Sequence, residues 1–378
     1  MIARTGRQAR LLTLAVLLLP AFAFADARLN KSIDSVFADI GDDEPGCAVG
    51  VIHKGDFIHK AGYGLANMEY GIPLTSQSVF RTGSVGKQFT AMAIAILAER
   101  GDLDLDADVH TYLTDLMDYD HKVTVRQMVH HFAGMGDYDH DAFNKFDGTE
   151  FRFGNEDFAT IDEFYQMVTK ADLVLEPATK YLYSNLAYFL LGQVVENVSG
   201  KTLCEFAAEE IFGPLEMNAT RFNDNVNQIV INRADGYRQM ANGSWEIFMT
   251  NLSWVGDGGV FTTIDDFIKW DQNFYDNKLG SGKASLIETV ETPLPDMFED
   301  TEDGPGLVRY GFGLEQQEQF GEYSIGHGGS WVGFTARYNR FPQLDMSVVV
   351  FCNSLNRSAY ELGKNVTELA VVAIRNQE

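Results

Sequence analysis

Basic residues are scarce in this sequence. Its 378 residues hold 54 Asp and Glu against 29 Lys and Arg, a formal charge of −25. A nucleic-acid partner needs a basic face for its phosphates, and an anionic lipid surface needs one too, so the balance argues against both. Cysteine is also scarce. Three residues are too few for a disulfide scaffold, and an odd count leaves at least one thiol free or paired between chains. Beyond residue 25 no apolar run is long enough to span a bilayer, and no internal repeat is present. The sequence has no Gly-x-Ser-x-Gly elbow and no His-Glu-x-x-His helix.

What is present is the composition of a globular protein: 45% hydrophobic, 12% aromatic and 22% charged residues. At roughly 150 residues per domain, the length suggests two domains, or one large enzyme domain with an insertion. The first 25 residues read as a leader. Arg4, Arg7 and Arg10 precede a short apolar stretch, Leu11 to Leu19, broken by Pro20, and Ala23-Phe24-Ala25 offers a small-x-small cleavage site. Cleavage there removes three Arg and no acid, taking the net charge from −25 to −28. The expectation is an exported protein, periplasmic or secreted, with no stable membrane anchor after cleavage.

Cys47–His53 and Phe57–Tyr63 read as two strands joined by a Lys54-Gly55 turn. Val85 to Arg100 is apolar nearly all round and predicts a buried helix, with Ser84 as its cap. Residues 102–254 read as mainly helical, and the clearest helix runs from Leu186 to Val198. Strand signals return at Tyr323–Gly326, Phe334–Arg340 and Met346–Cys352, and a helix near 358–376 closes the chain. Strands, helices, strands and a helix, in that order, predict an α/β (α+β) fold. In it an antiparallel sheet flanked by helices is built from residues 26–101 and 255–378, with the mainly helical region inserted, as one catalytic unit. The acidic segment 296–303 reads as a solvated connection.

Three short segments carry chemistry. Ser84-Val85-Gly86-Lys87 places a hydroxyl and an amine three residues apart on one helix face. A Ser hydroxyl is a weak nucleophile until a base takes its proton, and a lysine becomes that base only when burial or a nearby cation lowers its pKa. Taken alone, the motif fits a cap followed by a surface lysine equally well. Tyr183-Ser184-Asn185 offers a phenol, a hydroxyl and an amide just before a helix; its plain structural meaning is an N-cap beside a buried Tyr. His327-Gly328-Gly329-Ser330-Trp331 reads as a strand end entering a turn, where glycines allow backbone to approach a substrate. Trp331 could equally be packing.

Together, in this order, the three segments resemble the serine β-lactamase and penicillin-recognising family, in the branch of class C β-lactamases, D-alanyl-D-alanine carboxypeptidases and related esterases. The likeness extends over most of residues 44–372 through Val123–Gly134, Tyr183–Gly192, Ile211–Met217 and Gly258–Thr263. It implies that Ser84 is acylated and that Lys87 shares in activating it. It implies that Tyr183 shuttles protons; which of Lys87 and Tyr183 is the principal base stays open. Asn185 would bind substrate and Lys87, and His327 would fill an electropositive position that holds the Tyr183 proton state. Gly328, Gly329, Ser330 and Trp331 would line the substrate, and the backbone N–H groups of Ser84 and Ser330 would form an oxyanion hole. His131 matches the family's structural His. In the family fold the first and last strands pair, so Cys47 and Cys352 could bridge, although two free buried thiols are the favoured reading.

The departures bear on substrate. Gly328 stands where β-lactamases and carboxypeptidases usually carry Thr, and His327 stands for Lys. The resemblance therefore implies a secreted serine hydrolase acting on an ester or amide, of the esterase or D-amino-acid peptidase type, with a small-molecule or peptide substrate and no cofactor. The alternatives are a true β-lactamase or D-alanyl-D-alanine carboxypeptidase, or a non-catalytic ligand-binding protein of this fold. No oligomeric state follows. Metal sites fare worse: Asp102–Asp108 lacks the Gly and Glu of a calcium loop, and of His130, His131, Asp137, Asp139 and His140, which could in principle bind a metal, His131 matches the family's structural His and the Asp residues read as loop. Gly282-Lys283 lacks the upstream Gly of a phosphate loop.

Overall fold

The structure is a computed structural model, which describes residues 21–138, 153–295, 297–301 and 304–376. Most of the expected leader, together with Asp139 and His140, lies outside the described residues. Helix α1 (Ala21–Val36) leads into β1 (Cys47–His53) and β2 (Asp56–Tyr63). These two form a hairpin whose turn residues, Lys54 and Gly55, both take positive φ, 53° and 83°. Such a turn matches the twist of the paired strands. Next come α2 (Lys87–Arg100), α3 (Asn185–Ser199) and α4 (Ile264–Asn273). The chain returns through β3 (Glu315–Gln319), β4 (Glu322–Trp331), β5 (Phe334–Phe341) and β6 (Met346–Cys352), and ends in α5 (Ala359–Arg375).

The six strands form an antiparallel sheet in the order β3-β4-β5-β6-β1-β2. The last strand thus pairs with the first. Along a strand, side chains alternate between faces. Val348 and Val350 join Val49 and Val51 in a core under α1 and α5. Val349 and Phe351 face the other way, into a larger core with Phe89, Phe267 and Trp270 from α2 and α4. Helix α2 is buried from Lys87 to Leu97 without interruption, as its nearly all-apolar surface requires. It ends at Gly101 in the left-handed conformation.

Four expectations are corrected here. Ser84 does not cap α2; it sits within a 3-10 turn, Gly83–Gly86, and Gly86 takes the cap position. The His327–Trp331 segment is no turn but the second half of β4, because β5 offers it ladder partners from Tyr338 to Phe334. The acidic segment is not a plain connection: Phe298–Thr301 pairs with Gly304–Leu307 as a hairpin, with residues 296, 302 and 303 outside the described set. Finally, Cys47 and Cys352 are not free thiols. They stand opposite each other in the β1–β6 register, 4.0 Å apart at Cα, and form a disulfide. Cys204 is free.

Candidate active site

Ser84, Lys87, Tyr183, Asn185 and His327 converge where the start of α2 meets the start of α3 and the open end of β4. Lys87 is fully buried. Its Nζ reaches Ser84 Oγ at 3.1 Å, Asn185 Oδ1 at 2.6 Å and the Asp257 carbonyl at 2.6 Å. Asn185 cannot turn away, because its Nδ2 donates to both oxygens of Asp137 at 3.0 and 3.1 Å. An ammonium has three hydrogens for these three acceptors, whereas a neutral amine has two and a lone pair. The two shorter contacts retain the hydrogens, so the lone pair of a neutral Lys87 falls toward Ser84. Burial lowers the Lys87 pKa to about 8, although Asp257 and Asp137 pull it upward.

Tyr183 precedes Ser184, whose hydroxyl caps α3 by accepting from the Ala187 N–H at 3.0 Å. Its phenol lines the same groove as Ser84, and burial drives its pKa well above 10. It therefore stays a phenol at neutral pH. Its ring lies 4.8 Å from Lys87 Nζ.

His327 is held by a directed chain of hydrogen bonds. The Ser184 N–H donates to His131 Nδ1 at 3.0 Å, so the His131 proton sits on Nε2 and points at the Tyr310 hydroxyl, 3.2 Å away. Tyr310 in turn donates to His327 Nε2 at 3.0 Å, leaving His327 Nδ1–H to donate to the Gly328 carbonyl. Both imidazoles are neutral in this pattern. Burial depresses both pKa values, that of His131 strongly, and for His327 this outweighs the pull of Glu315. The expectation of positive charge at His327 is thereby corrected: a neutral ring fills that position. Its contact with Tyr183 is a ring approach, 6.2 Å between centroids, and its nitrogens are committed elsewhere.

Two glycines bring the backbone of Ser330 against that of Ser84. A Cβ on Gly83 would lie 2.8 Å from the Ser330 nitrogen. A Cβ on Gly329 would lie 2.1 Å from the Thr82 carbonyl oxygen and 3.1 Å from the Ser84 nitrogen. Neither position admits a side chain, and the two amide groups are close neighbours, the arrangement an oxyanion hole needs. Gly328 borders the same groove. Trp331 stands farther along, 5.8 Å from Tyr138 and 5.6 Å from Phe153 between ring centroids. Tyr138 bonds to Asp257.

Sequence reading had not singled out Tyr310 or Asp257, and had weighed Asp137 only as a metal ligand. The Gly256-Asp257-Gly258-Gly259 run was the available signal for Asp257; Tyr310 had none. Among the described residues no cluster of His, Cys, Asp and Glu could hold a metal ion.

The beta-lactamase family model matches residues 33–372. The chain belongs to the beta-lactamase family. Within that family it is 27% identical over 330 residues to a D-aminopeptidase of Gluconobacter oxydans, covering 87% of this chain and 59% of the relative. It is 26% identical over 351 residues to a penicillin-binding protein of Bacillus subtilis, covering 88% of this chain and 73% of that one. The chain thus spans about three fifths of the D-aminopeptidase. The octameric penicillin-binding protein homologue from Pyrococcus abyssi superposes with a TM-score of 0.77 at 26% identity, over 92% of this chain and 77% of that chain. The fold is that of the β-lactamase and transpeptidase proteins, and the site carries the parts of a serine hydrolase.

Proposed function

We propose that the chain is an exported serine hydrolase that cleaves an ester or amide through an acyl-enzyme on Ser84, of the esterase or D-amino-acid peptidase type. The observation that carries this reading is the buried Lys87 amine 3.1 Å from Ser84 Oγ. Neutral Lys87 takes the Ser84 proton as Oγ attacks the carbonyl carbon. The negative charge on the former carbonyl oxygen meets the Ser84 and Ser330 N–H groups; each such donor is worth roughly 2.7–4 kcal/mol. Tyr183, held as a phenol, gives its proton to the leaving group and recovers one from the Lys87 ammonium. Water then reverses the sequence and frees the acid. Lys87 is the principal base in this scheme, because burial lowers its pKa and raises that of Tyr183.

The names of the relatives support the peptidase side of the reading, and Gly328 in place of Thr weighs against a true β-lactamase. The Cys47–Cys352 bridge supports export, since such bonds persist in oxidising compartments. Among the described residues no helix is long and apolar enough to cross a membrane. Incubation with a fluorophosphonate and mass spectrometry of the peptides should give one adduct on Ser84, abolished in Ser84→Ala. No adduct with any acyl donor would leave the binding-protein reading in its place. N-terminal sequencing of the exported protein should begin at Asp26, and an uncleaved N-terminus would refute the leader assignment.

A further inference from the structure

Strand β3 starts at Glu315, opposite Gly326, so its pairing with β4 stops just before His327. The edge of β4 beyond that point borders a groove of about 390 Å3, whose lining includes Ser84, Tyr183, His327, Gly328, Glu315 and Tyr360. The groove has a direction. Ser330, beside the Ser84 amide, marks one point, and Gly326, the partner of Glu315, lies four residues back along the strand, a span of about 13 Å. The proton donor, Tyr183, lines the groove with Ser84 and lies 6.2 Å from the His327 ring between centroids, between those points. A substrate whose carbonyl sits at Ser84 and Ser330 therefore directs its leaving group, the part that must receive the proton, toward Glu315.

Charge at that end is set by one ion pair. Arg337 Nη1 donates to Glu315 Oε2 at 2.8 Å. The two partners are unequally placed: the Arg337 side chain is 5% exposed and that of Glu315 is 38% exposed. The face shown to solvent is thus a carboxylate, and its Oε1 has no protein partner among the described residues. Burial raises the Glu315 pKa, the charge and hydrogen bond of Arg337 pull it down, and the ion pair at 2.8 Å holds it as a carboxylate. Gly328 has no side chain to fill the space before the pair: a Cβ there would lie 3.1 Å from Arg337 Nη1.

We infer that Glu315 selects the leaving group by charge, favouring one that carries an ammonium or quaternary amine and disfavouring one that carries a carboxylate. This rests on the hydrolase reading of Ser84. The test uses three thioesters with one acyl group and three leaving thiols: thiocholine, neutral 2-methoxyethanethiol and anionic 3-mercaptopropionate, with the released thiol measured. The wild-type kcat/KM ratio of the cationic to the anionic thioester should be at least tenfold. Glu315→Gln should lower that ratio at least tenfold, and Glu315→Asp should keep the preference. A purely structural role for Glu315 would slow all three thioesters together and leave the ratio unchanged, which overturns the inference. A wild-type ratio at or below one overturns it as well, even if Glu315→Gln fails to fold. Failure of fluorophosphonate to label Ser84 sinks the hydrolase reading; labelling with an unchanged ratio sinks charge selection alone.

Discussion

Lys87 offers the sharpest test of the chemistry. An ordinary lysine, titrating near 10.4, is neutral in roughly 0.04% of molecules at pH 7. With its pKa lowered to about 8 by burial, Lys87 is neutral in about 9% of them, a gain of roughly 230-fold in the form able to accept the Ser84 proton. The sign follows directly: the active form is the deprotonated one, so activity is gained as pH rises through about 8. With a neutral ester and correction for spontaneous hydrolysis, kcat/KM should climb nearly tenfold per pH unit below that point and level above it. Lys87→Met keeps most of the buried volume and removes the base. It should lower kcat/KM by about 10²–10⁴ and erase the rising limb. Lys87→Arg keeps a cation that cannot be deprotonated and should be as impaired. A flat profile from pH 6 to 9, or wild-type acylation by Lys87→Arg, would refute the reasoning.

Three further outcomes are expected. Gly329→Ala forces a Cβ to within 2.1 Å of the Thr82 carbonyl oxygen, so it should cost about 1–3 kcal/mol of stability and most of the Ser84 labelling rate, read by thermal unfolding and fluorophosphonate kinetics. Tyr310→Phe leaves the facing nitrogens of His131 and His327 without their shared hydroxyl. It should destabilise the protein by about 1–3 kcal/mol and move the pH profile; an unchanged melting curve would contradict the chain of hydrogen bonds. Cys352→Ser should lower stability by about 2–5 kcal/mol, and reductant should lower the melting temperature of the wild type but not of the variant.

The parts of the site within a few residues of one another were legible from sequence. Ser84 and Lys87 share a turn, Tyr183 and Asn185 flank a cap, and His327 to Ser330 lie on one strand, so each motif survives as a short string. The groups that tune them were not. Tyr310 reaches His131 across 179 positions and His327 across 17, and Asp257 meets Lys87 through its carbonyl, a contact that any residue type could make. His327 looked electropositive because a ring nitrogen can always be protonated; only the burial and the direction of its hydrogen bonds show it neutral. The turn expected at His327–Trp331 failed for a related reason. Glycine pairs signal bends when read locally, whereas here they let β4 pass against Thr82 and Ser84. The hairpin, the buried helix and the strands near 334–340 and 346–352 followed from period and punctuation, which are local, whereas the pairing of first and last strands came from the resemblance and β3 was not foreseen. The disulfide depended on a register between residues 305 positions apart.

That bridge gives the molecule the topology of a ring. Cys47 and Cys352 close a covalent loop that contains Ser84, Lys87, Tyr183, Asn185 and His327. A protease that nicks a single surface loop anywhere inside it cannot release a fragment: the halves stay joined, migrate as one band on a non-reducing gel and part only when reductant is added. In an extracellular setting, a first cut would leave every catalytic group attached to the same molecule.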